Sequence, residues 1–564
     1  MRPWTNKTIF FGVLGLIFMF IGGLFCIYWP VILDAVLHKE LVLSPTSKSY
    51  DIWKDSRNLP VNLNFYFFNW TNPEEITVPG KKPNFVQLGP YSFIEIREKV
   101  NVTFHPENGT VSYFQRKFWH FDKTKSNGSL DDNVTQINVV AITAVRKVLQ
   151  LAPVFQASIS HVMDHFRMNI NITKTVSELI FEGYVDELIR LKSVVSLPDD
   201  DSPPFDRFGW FYMRNASTQF DGHMNMETGR NDISKLGVAR LWNYKDTMKY
   251  YKTPCNSVEG SAGEFWPPLR KFGDFSSPYR KDDISLFSAD LCRPLTYEFM
   301  REVTHKGITG YQFALDRKSL GNDTKKRYPH EQAKYFEPTT TTEDFFSAEP
   351  TSQAFKVEED PDVVNIGQCY CNGECSPMGV MNVTACRYGA PAFVSLPHFY
   401  KADPVLRDQI TGMNPKEKDH SFYITLEPTS GIPLDVSARL QINILMQPSK
   451  LVSFMKELPT IYFPVFWFSL RAGVPDEMIG SMKMLVMTPS IMYYSSIGML
   501  LIGVSLILAT AIMCYCSQGR MSLSTPASRI SVTYPSRKTE LVYMDRTDND
   551  DPQVKSDRRL YPKL

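Results

Sequence analysis

The chain lacks an excess of charge of either sign. Its 564 residues include 61 Lys and Arg against 60 Asp and Glu, which gives a net charge of +1. A general nucleic-acid-binding protein needs a basic face to displace counterions, so this balance argues against that class. The proportions of hydrophobic (43%), aromatic (13%) and charged (21%) residues also exclude a disordered, collagen-like or coiled-coil chain. At about 150 residues per domain, length alone predicts three or four domains.

Short catalytic motifs are missing as well. The sequence contains no Gly-x-Ser-x-Gly nucleophile elbow, no Walker loop and no Gly-x-Gly-x-x-Gly dinucleotide fingerprint. His161 and His165 have the i, i+4 spacing of zinc-protease ligands, but Val162 stands where the catalytic glutamate would be. We therefore expect a protein that is not an enzyme and that uses no cofactor and no metal ion.

Two long apolar runs contradict the mean hydropathy of −0.22, which by itself is typical of a soluble protein. The first run covers residues 9–33 and the second covers residues 491–514. Each exceeds the roughly 20 residues that a helix needs to cross a hydrocarbon core of about 30 Å. A signal peptide is the alternative for the first run, but no small-x-small cleavage site closes it, and Tyr28-Trp29-Pro30 follows. We predict two membrane-spanning helices.

The charges that flank the two runs predict their orientation. Basic residues lie on the outer side of both runs: Arg2, Lys7, Arg520, Arg529, Arg537 and Lys538. The inner flanks carry Asp34 and, at the second run, Asp476 and Glu477. The positive-inside rule therefore places both termini, residues 1–8 and 515–564, in the cytoplasm. Residues 34–490 then form one large domain outside the cell or in a lumen, so the protein lies in the plasma membrane or in an endosomal or lysosomal membrane.

Glycosylation acceptors support this topology. Nine Asn-x-Ser/Thr sequences lie between the two runs: Asn69, Asn101, Asn108, Asn127, Asn133, Asn171, Asn215, Asn322 and Asn382. Asn6 is the one acceptor outside this region, where glycosylation does not reach. We expect residues 34–490 to form a glycosylated ectodomain.

Six of the nine cysteines also lie between the runs: Cys255, Cys292, Cys369, Cys371, Cys375 and Cys386. An even number in an oxidising compartment predicts three disulfides, although spacing alone leaves their pairing open. Zinc binding is the alternative for the last four, but they lack paired Cys-x-x-Cys knuckles. Cys514 and Cys516, at the cytoplasmic boundary, are candidates for S-acylation, with inert packing as the alternative.

Hydrophobic periodicity predicts an α+β ectodomain that is mainly β. Residues 34–130 have the pattern of strands and turns, and Val61, Leu63, Phe65 and Phe67 share one face of a period-two segment. Residues 133–168 have the spacing of two helices broken near Pro153. A further helix is predicted over residues 175–191, and short strands follow to about residue 468.

Several short motifs occur in one order between the two runs. They are Phe68-Asn69-Trp70-Thr71-Asn72, Gly89-Pro90-Tyr91, Val176-Ser177-Glu178-Leu179-Ile180-Phe181-Glu182-Gly183-Tyr184-Val185-Asp186, Phe265-Trp266-Pro267-Pro268, Asp290-Leu291-Cys292-Arg293, Ser395-Leu396-Pro397-His398-Phe399, Glu427-Pro428-Thr429-Ser430-Gly431 and Arg439-Leu440-Gln441-Ile442-Asn443. In this order they resemble the class B scavenger receptor family over residues 5–516. The 48 residues after Cys516 lie outside the resemblance.

The resemblance implies an antiparallel β-barrel core, a membrane-distal helical bundle at about residues 133–192, and an internal apolar tunnel that leads towards the membrane. It also implies the disulfides Cys255–Cys369, Cys292–Cys386 and Cys371–Cys375. The family's ligand-binding apex falls on residues 154–168, where we expect contacts from Phe155, His161, His165 and Arg167. A histidine in this place titrates near physiological pH and would make ligand capture pH-dependent, with an ordinary exposed histidine as the alternative.

The tail after the second run is rich in Ser, Thr, Arg and Asp, and we expect it to be disordered. It ends Tyr561-Pro562-Lys563-Leu564, in which Tyr561 and Leu564 have the spacing of a Tyr-x-x-Φ sorting signal. The expected partners are lipid or lipoprotein ligands, the membrane, an endocytic adaptor at the tail and a second copy of the chain, with no nucleic acid.

The leading hypothesis is a cell-surface scavenger-type receptor that binds lipids or lipoprotein-like ligands at its apex, passes hydrophobic cargo through a tunnel to the membrane and supports endocytic uptake. The alternative is a sorting receptor that carries a luminal protein to endosomes or lysosomes. A two-span ion channel is the remote alternative, because the second run offers only Ser, Thr and Tyr as polar groups for lining a pore.

Overall fold

The computed structural model describes residues 6–56, 61–149, 152–192, 205–270, 278–329, 331, 360, 362–371 and 375–522. The chain forms two compact units, one of Phe20–Leu500 and one of the described parts of Met1–Met19 and Leu501–Leu564. The predicted sorting signal at Tyr561 and Leu564, like the rest of the tail after residue 522, lies outside the described residues.

The described ranges contain seventeen strands, all in the larger unit. They are β1 Val61–Trp70, β2 Phe85–His105, β3 Thr110–Phe121, β4 Asn133–Ile137, β5 Asn171–Thr175, β6 His223–Glu227, β7 Ala239–Trp242, β8 Ile284–Ser288, β9 Arg293–His305, β10 Ile308–Leu315, β11 Lys325–Arg327, β12 Val363–Asn365, β13 Val380–Asn382, β14 Ala392–Ser395, β15 Tyr423–Leu426, β16 Pro433–Met446 and β17 Ile461–Gly473.

Thirteen of these strands form one antiparallel sheet that is nearly closed into a barrel. The main path runs β7-β6-β3-β2-β1-β17-β16-β15-β10-β9-β8, and β14 joins β13 to β16. Ser261 forms isolated bridges both to Val238, beside β7, and to Leu286 of β8, so it links the two ends of this path. The predicted α+β class, with an antiparallel barrel as its core, is confirmed.

The buried face of β1 shows how the sequence directs the barrel. Leu63, Phe65 and Phe67 alternate with more exposed residues and are buried, as the period-two pattern predicts. The pairing of β1 with β2 shifts between Phe65 and Phe67, and the irregularity lets Phe68 be buried as well. The barrel core is accordingly dense in aromatic side chains.

The described ranges contain ten α-helices. They are α1 Asn6–Leu41, α2 Lys48–Lys54, α3 Val139–Val148, α4 Pro153–His165, α5 Glu187–Lys192, α6 Arg317–Leu320, α7 Ile366–Cys369, α8 Pro404–Asp408, α9 Glu417–His420 and α10 Asp476–Ser522. The break near Pro153 is confirmed, since α3 ends before this residue and α4 begins on it.

The prediction that the first of these helices begins near Asn133 is wrong. Residues 133–137 form β4, which pairs with β5. Asn138 then caps α3, because its side-chain oxygen accepts a hydrogen bond from the backbone N–H of Ala141 at 3.1 Å. A capping residue has non-helical backbone angles, so it separates the strand from the helix.

The prediction of one helix over residues 175–191 is also wrong. Thr175 ends β5, a single π-helical turn covers Glu178–Glu182, and α5 starts only at Glu187. Gly183 interrupts the helical path with a φ of 69°, a conformation that glycine adopts without steric cost. Asp186 accepts a hydrogen bond from the N–H of Leu188 at 2.9 Å and so starts the new helix.

The buried face of α4 differs from the predicted one. Ile159 and Met163, four residues apart, are buried, whereas Val154, Ser158 and His165 are exposed. Apolar residues occur on more than one face of this helix, and periodicity alone selected the wrong one. One side of α4 therefore presents apolar groups to the outside.

The two terminal helices are long and apolar enough to cross a membrane. α1 and α10 each contain a window with a mean hydropathy of 2.5 that is only 11% buried. In the smaller unit Gly15 and Gly503 allow close packing, since a Cβ atom on Gly503 would stand 2.8 Å from the carbonyl oxygen of Gly15. The predicted segments 9–33 and 491–514 lie within these helices.

Three disulfides cross-link the larger unit. The structure joins Cys255 to Cys369, Cys292 to Cys386 and Cys371 to Cys375. The first two connect parts of the chain that are 114 and 94 residues apart, so they fix distant segments beside the sheet.

Candidate functional site

A cavity of about 1950 Å³ lies within the unit Phe20–Leu500. Pockets for small ligands usually measure about 300–1,000 Å³, so this volume suits a long or bulky apolar molecule. Strands of the barrel form much of the wall through inward-facing side chains, including Leu440 and Ile442 of β16 and Phe466 and Phe468 of β17.

Two helices that are far apart in the sequence, α3 and α10, contribute to the same wall. One face of α3 lines the cavity with Val140, Ala144 and Val148. This face is the one that the sequence pattern selects for α3, and it is only partly buried because it borders the cavity. Met482 and Leu485 of α10 line the cavity as well, within the helix that continues into the predicted membrane span.

A ladder of polar side chains interrupts the apolar wall on β2 and β3. Glu95 pairs with Trp119, Arg97 with Lys117, and Lys99 with Gln115 across the two strands. Arg97, Lys117 and Gln115 line the cavity. The members of this cross-strand ladder have alternate positions on both strands, so they share one face of the sheet.

Hydrogen bonds tie the ladder together. Glu95 accepts from Nε of Arg97 at 2.6 Å and from Nε1 of Trp119 at 2.7 Å. The ammonium group of Lys99 contacts Glu264 and Gln115 and lies 5.2 Å from the centre of the Tyr113 ring. These contacts hold the buried charges of β2 in fixed positions.

Chain segments remote from β2 and β3 extend the network. Lys117 donates to Asp221 at 3.0 Å, and Gln115 donates to the same carboxylate at 2.7 Å. Asp290 accepts from Arg214 at 2.6 Å and is also contacted by Arg387. Asp221, Arg214, Asp290 and Arg387 all line the cavity. We call Glu95, Arg97, Lys99, Lys117, Arg214, Asp221, Glu264, Asp290 and Arg387 the wall network.

Cationic neighbours lower the pKa of three carboxylates of the wall network, Glu95, Asp221 and Asp290. Burial raises the pKa of Glu95, but the charges of Arg97 and Lys117 outweigh burial and hold the pKa below its ordinary value. The pKa of Asp290 is likewise held well below its ordinary range, because Arg214 and Lys117 overcome the effect of burial. Burial lowers the pKa of Arg97, yet Glu95 and Glu264 leave it raised.

The four residues predicted for the ligand-binding apex lie on α4 and the turn after it. Phe155, His161, His165 and Arg167 are all exposed, and Phe155 has 46% of its surface accessible. Val154 beside it is 67% exposed. None of the four is among the described residues that line the cavity. The structure therefore separates an exposed apolar and basic helix from the internal cavity.

A buried histidine pair belongs to neither region. The rings of His398 and His420 stack with centroids 4.4 Å apart, and both side chains are buried. Backbone N–H groups donate to Nδ1 of each ring, from Asn414 at 3.1 Å and from Lys416 at 2.9 Å. Burial, with repulsion from the charge of His420 and then Lys416, lowers the pKa of His398 to about 3. Burial is also the main cause that lowers the pKa of His420 to about 4.

The modification sites predicted from the sequence have accessible positions. All nine glycosylation acceptors lie in the larger unit and none is buried; Asn69, Asn171 and Asn382 are half-buried and the other six are exposed. Near the end of α10, Cys514 is half-buried and Cys516 is exposed. Glycosylation and S-acylation of these residues stay predictions.

The wall network was not predicted from the sequence. One feature of the sequence does indicate buried charges on β2. Every second residue of this strand faces inward from Tyr91 and Phe93 onward, and the next three such positions are Glu95, Arg97 and Lys99. Charged residues at inward-facing positions of a strand need partners, because an unpaired buried charge is costly. The sequence could have revealed the buried charges, but not the distant residues that pair with them.

Comparisons with known proteins agree with the fold. The model of the CD36 family matches residues 13–514. The chain is 32% identical to protein peste of Drosophila melanogaster over 522 residues, which cover 91% of this chain and 83% of the relative. It is 27% identical to scavenger receptor class B member 1 of Bos taurus, covering 89% and 88% of the two chains.

A third relative is lysosome membrane protein 2 of Rattus norvegicus, which is 28% identical over 459 residues, or 81% of this chain and 83% of the relative. The matches run through nearly the whole region between and including the two terminal helices. They confirm the resemblance to class B scavenger receptors that the ordered motifs indicate. The chain is therefore a member of the CD36 family.

Proposed function

We propose that this protein is a membrane receptor that captures lipids or lipoprotein-like particles and passes apolar cargo through its internal cavity to the membrane, without enzymatic chemistry. In this proposal α1 and α10 cross the membrane, both termini are cytoplasmic, and the ectodomain is glycosylated. Membership of the CD36 family and the names of the relatives, which include scavenger receptor class B member 1, support the receptor role.

The observation that carries the proposal is a cavity that both α3 and α10 line. Burying an acyl chain contributes about 0.8 kcal/mol per CH₂, so release of a long chain into water is slow. An apolar passage that ends at a membrane helix lets the chain move without full exposure to water. Val148 of α3 and Leu485 of α10 both line this cavity.

Capture is proposed to occur at the exposed face of α4. Val154 and Phe155 offer apolar surface that no described part of the protein covers fully, and Arg167 and His165 lie at the other end of the helix. Exposed apolar groups beside basic groups suit the surface of a lipid particle, where acyl chains and anionic headgroups occur together.

The test is to block the cavity in the full-length protein. Ala438 of β16 lines the cavity, and Ala438→Trp fills part of it. We expect cells with this variant to take up a fluorescent fatty acid from phosphatidylcholine particles at the rate of cells that lack the protein. Met300→Trp adds the same bulk at an exposed position of β9 outside the described cavity lining and should leave uptake unchanged. Normal uptake by Ala438→Trp, at equal surface level, would contradict transfer through the cavity.

The relative named lysosome membrane protein 2 supports a second candidate, in which the protein works in the lysosomal membrane as a sorting receptor for a luminal protein. Steady-state location separates the candidates. Fluorescence of the tagged full-length chain at the cell edge supports the surface receptor, and coincidence with a lysosomal marker supports the sorting receptor.

A further inference from the structure

We propose that a small cavity beside Arg293 is an anion site that binds one chloride ion, with the guanidinium group of Arg293 as its principal donor. This small cavity measures about 20 Å³, and no described residue lines both it and the large cavity. Arg293 ends the motif Asp290-Leu291-Cys292-Arg293, and the proposed function gives it no role. The inference does not rest on lipid transfer.

Segments that are far apart in the sequence enclose the small cavity. β9 contributes Arg293, the turn after α6 contributes Asn322, the residues after α7 include Tyr370, and β13 contributes Met381. Gly367 of α7 lets two of these segments approach closely, since a Cβ atom there would stand 2.5 Å from the backbone of Asn322. The walls of the small cavity are therefore packed parts of the larger unit.

The side chain of Arg293 presents donors that have no acceptor. Arg293 is only 6% exposed, and its Cζ atom lies 3.7 Å from the centre of the Tyr370 ring. Stacking of this kind covers the flat face of the guanidinium group and leaves the N–H groups at its edge for other partners. Nε is buried without a hydrogen-bond partner, and the side chain of Arg293 forms no hydrogen bond to any residue that the structure describes. Because these donors line a cavity, they point to a bound acceptor.

The positive charge of Arg293 also lacks a counter-charge among the described residues. Burial lowers the pKa of Arg293, and the groups that act against burial are two tyrosines, Tyr370 and Tyr251. Burial raises the pKa of both tyrosines, so both are neutral near pH 7. A buried charge without a partner is costly, and arginine does not lose its proton to avoid that cost. One monovalent anion would balance the charge.

The volume of the small cavity selects among anions. One water molecule needs about 10–15 Å³, so a cavity of about 20 Å³ admits one ion of atomic size. Sulfate, phosphate and carboxylates consist of several heavy atoms and exceed this volume. Chloride is a single atom with a single charge. Water is the alternative occupant, and it would accept a hydrogen bond from Arg293 but leave the charge unbalanced.

The test measures thermal melting of the purified full-length protein in sodium chloride, sodium bromide and sodium gluconate, each at about 0.15 M so that screening is equal. Gluconate is too large for the small cavity. We expect the wild-type protein to melt roughly 1–3 °C higher in chloride and bromide than in gluconate, the shift that a ligand of millimolar affinity gives a domain of this size. Arg293→Gln should lose this difference.

Arg301→Gln is the matched control. Arg301 is a second arginine of β9, its Nε donates to Gln312 at 3.0 Å, and its side chain is 59% exposed. It is outside the described lining of the small cavity, so this variant should keep the full difference between chloride and gluconate. An equal loss in Arg301→Gln and Arg293→Gln would assign the effect to general surface charge and overturn the role of Arg293.

A measurement on the wild-type protein decides the question even where Arg293→Gln does not fold. Crystals of the full-length protein grown in sodium bromide allow bromide ions to be located by their anomalous scattering. We expect an anomalous peak in contact with the guanidinium group of Arg293. Equal melting of the wild-type protein in the three salts, or a small cavity without an anomalous peak, would overturn the anion site. Either result would leave the proposed lipid transfer unaffected.

Discussion

At the scale of single residues, two buried histidines make the stability of the larger unit depend on pH. His398 and His420 have pKa values lowered to about 3 and about 4, so both rings stay neutral in the folded protein down to these values. An unfolded histidine titrates near pH 6.5. The unfolded chain therefore binds more protons than the folded chain as the pH falls below about 6.5, and the free energy of unfolding decreases over that window.

We predict that acidification from pH 7 to pH 5 lowers the free energy of unfolding by roughly 1–2 kcal/mol for each of the two histidines. His420→Asn keeps an acceptor for the N–H of Lys416 but does not titrate. Thermal melting of the full-length protein at both pH values should therefore show a smaller decrease for this variant. An identical decrease in variant and wild type would mean that His420 does not contribute.

At the same scale, the exposed side chain of Phe155 should affect capture and not internal binding. We predict that Phe155→Ser weakens binding of phosphatidylcholine particles roughly fivefold, because about half of a phenylalanine's apolar surface is available for contact. Palmitate binding should not change, since Phe155 does not line the described cavity.

Val405→Ser is the control for Phe155, as Val405 is a similarly exposed apolar residue, at 44%, on α8. Equal loss of particle binding in both variants would assign capture to general surface hydrophobicity and not to α4.

At the scale of elements, the capping of α3 connects the two-stranded sheet of β4 and β5 to a helix that lines the cavity. Asn138 accepts from the N–H of Ala141 and donates to the carbonyl of Asn169 at 3.2 Å, just before β5. It thereby fixes the helix whose other face borders the cavity. This cap also explains why the helical spacing from residue 133 onward was misleading: β4 ends immediately before it.

We predict that Asn138→Ala lowers the free energy of unfolding by about 1–2 kcal/mol, the usual cost of removing a cap. Asn138→Ser retains a capping oxygen and should lose less. Denaturant melts of the full-length protein measure the difference. Equal losses in the two variants would show that packing and not the cap fixes the start of α3.

The sequence predicted those elements that a pattern within one short stretch of the chain identifies. The apolar spans are long uninterrupted apolar runs, so composition suffices to predict them. β1 alternates buried with more exposed residues, so period two suffices to predict its buried face. The predicted buried face of α4 was wrong because this helix carries apolar residues on more than one face. The wall network could not be predicted for another reason. Its members are far apart in the sequence and come together only in the folded protein, as Arg97, Asp221, Asp290 and Arg387 do around the cavity. No local spacing indicates that they lie close together.

At the scale of the whole molecule, the arrangement of anchors and glycosylation acceptors predicts its orientation. We expect an epitope placed after Leu564 to be reached by antibody only in permeabilised cells, because both termini are predicted to be cytoplasmic. Peptide N-glycosidase treatment should lower the apparent mass, since all nine acceptors lie in the larger unit, between the two predicted spans, and none is buried. An epitope accessible in intact cells would contradict the two-span topology.

The side chains that α10 contributes to the cavity have a consequence for selectivity. Met478 and Met482 line it within the helix that continues into the predicted membrane span. Methionine is unbranched and polarizable, so it adapts to chains of different shape with little energetic discrimination. An outlet of this kind lets straight, kinked and ring-bearing molecules leave with similar ease. In the proposed transfer route, discrimination among lipids therefore falls to the barrel strands that line the cavity and to the exposed face of α4, and the part of the cavity beside α10 is an unselective outlet.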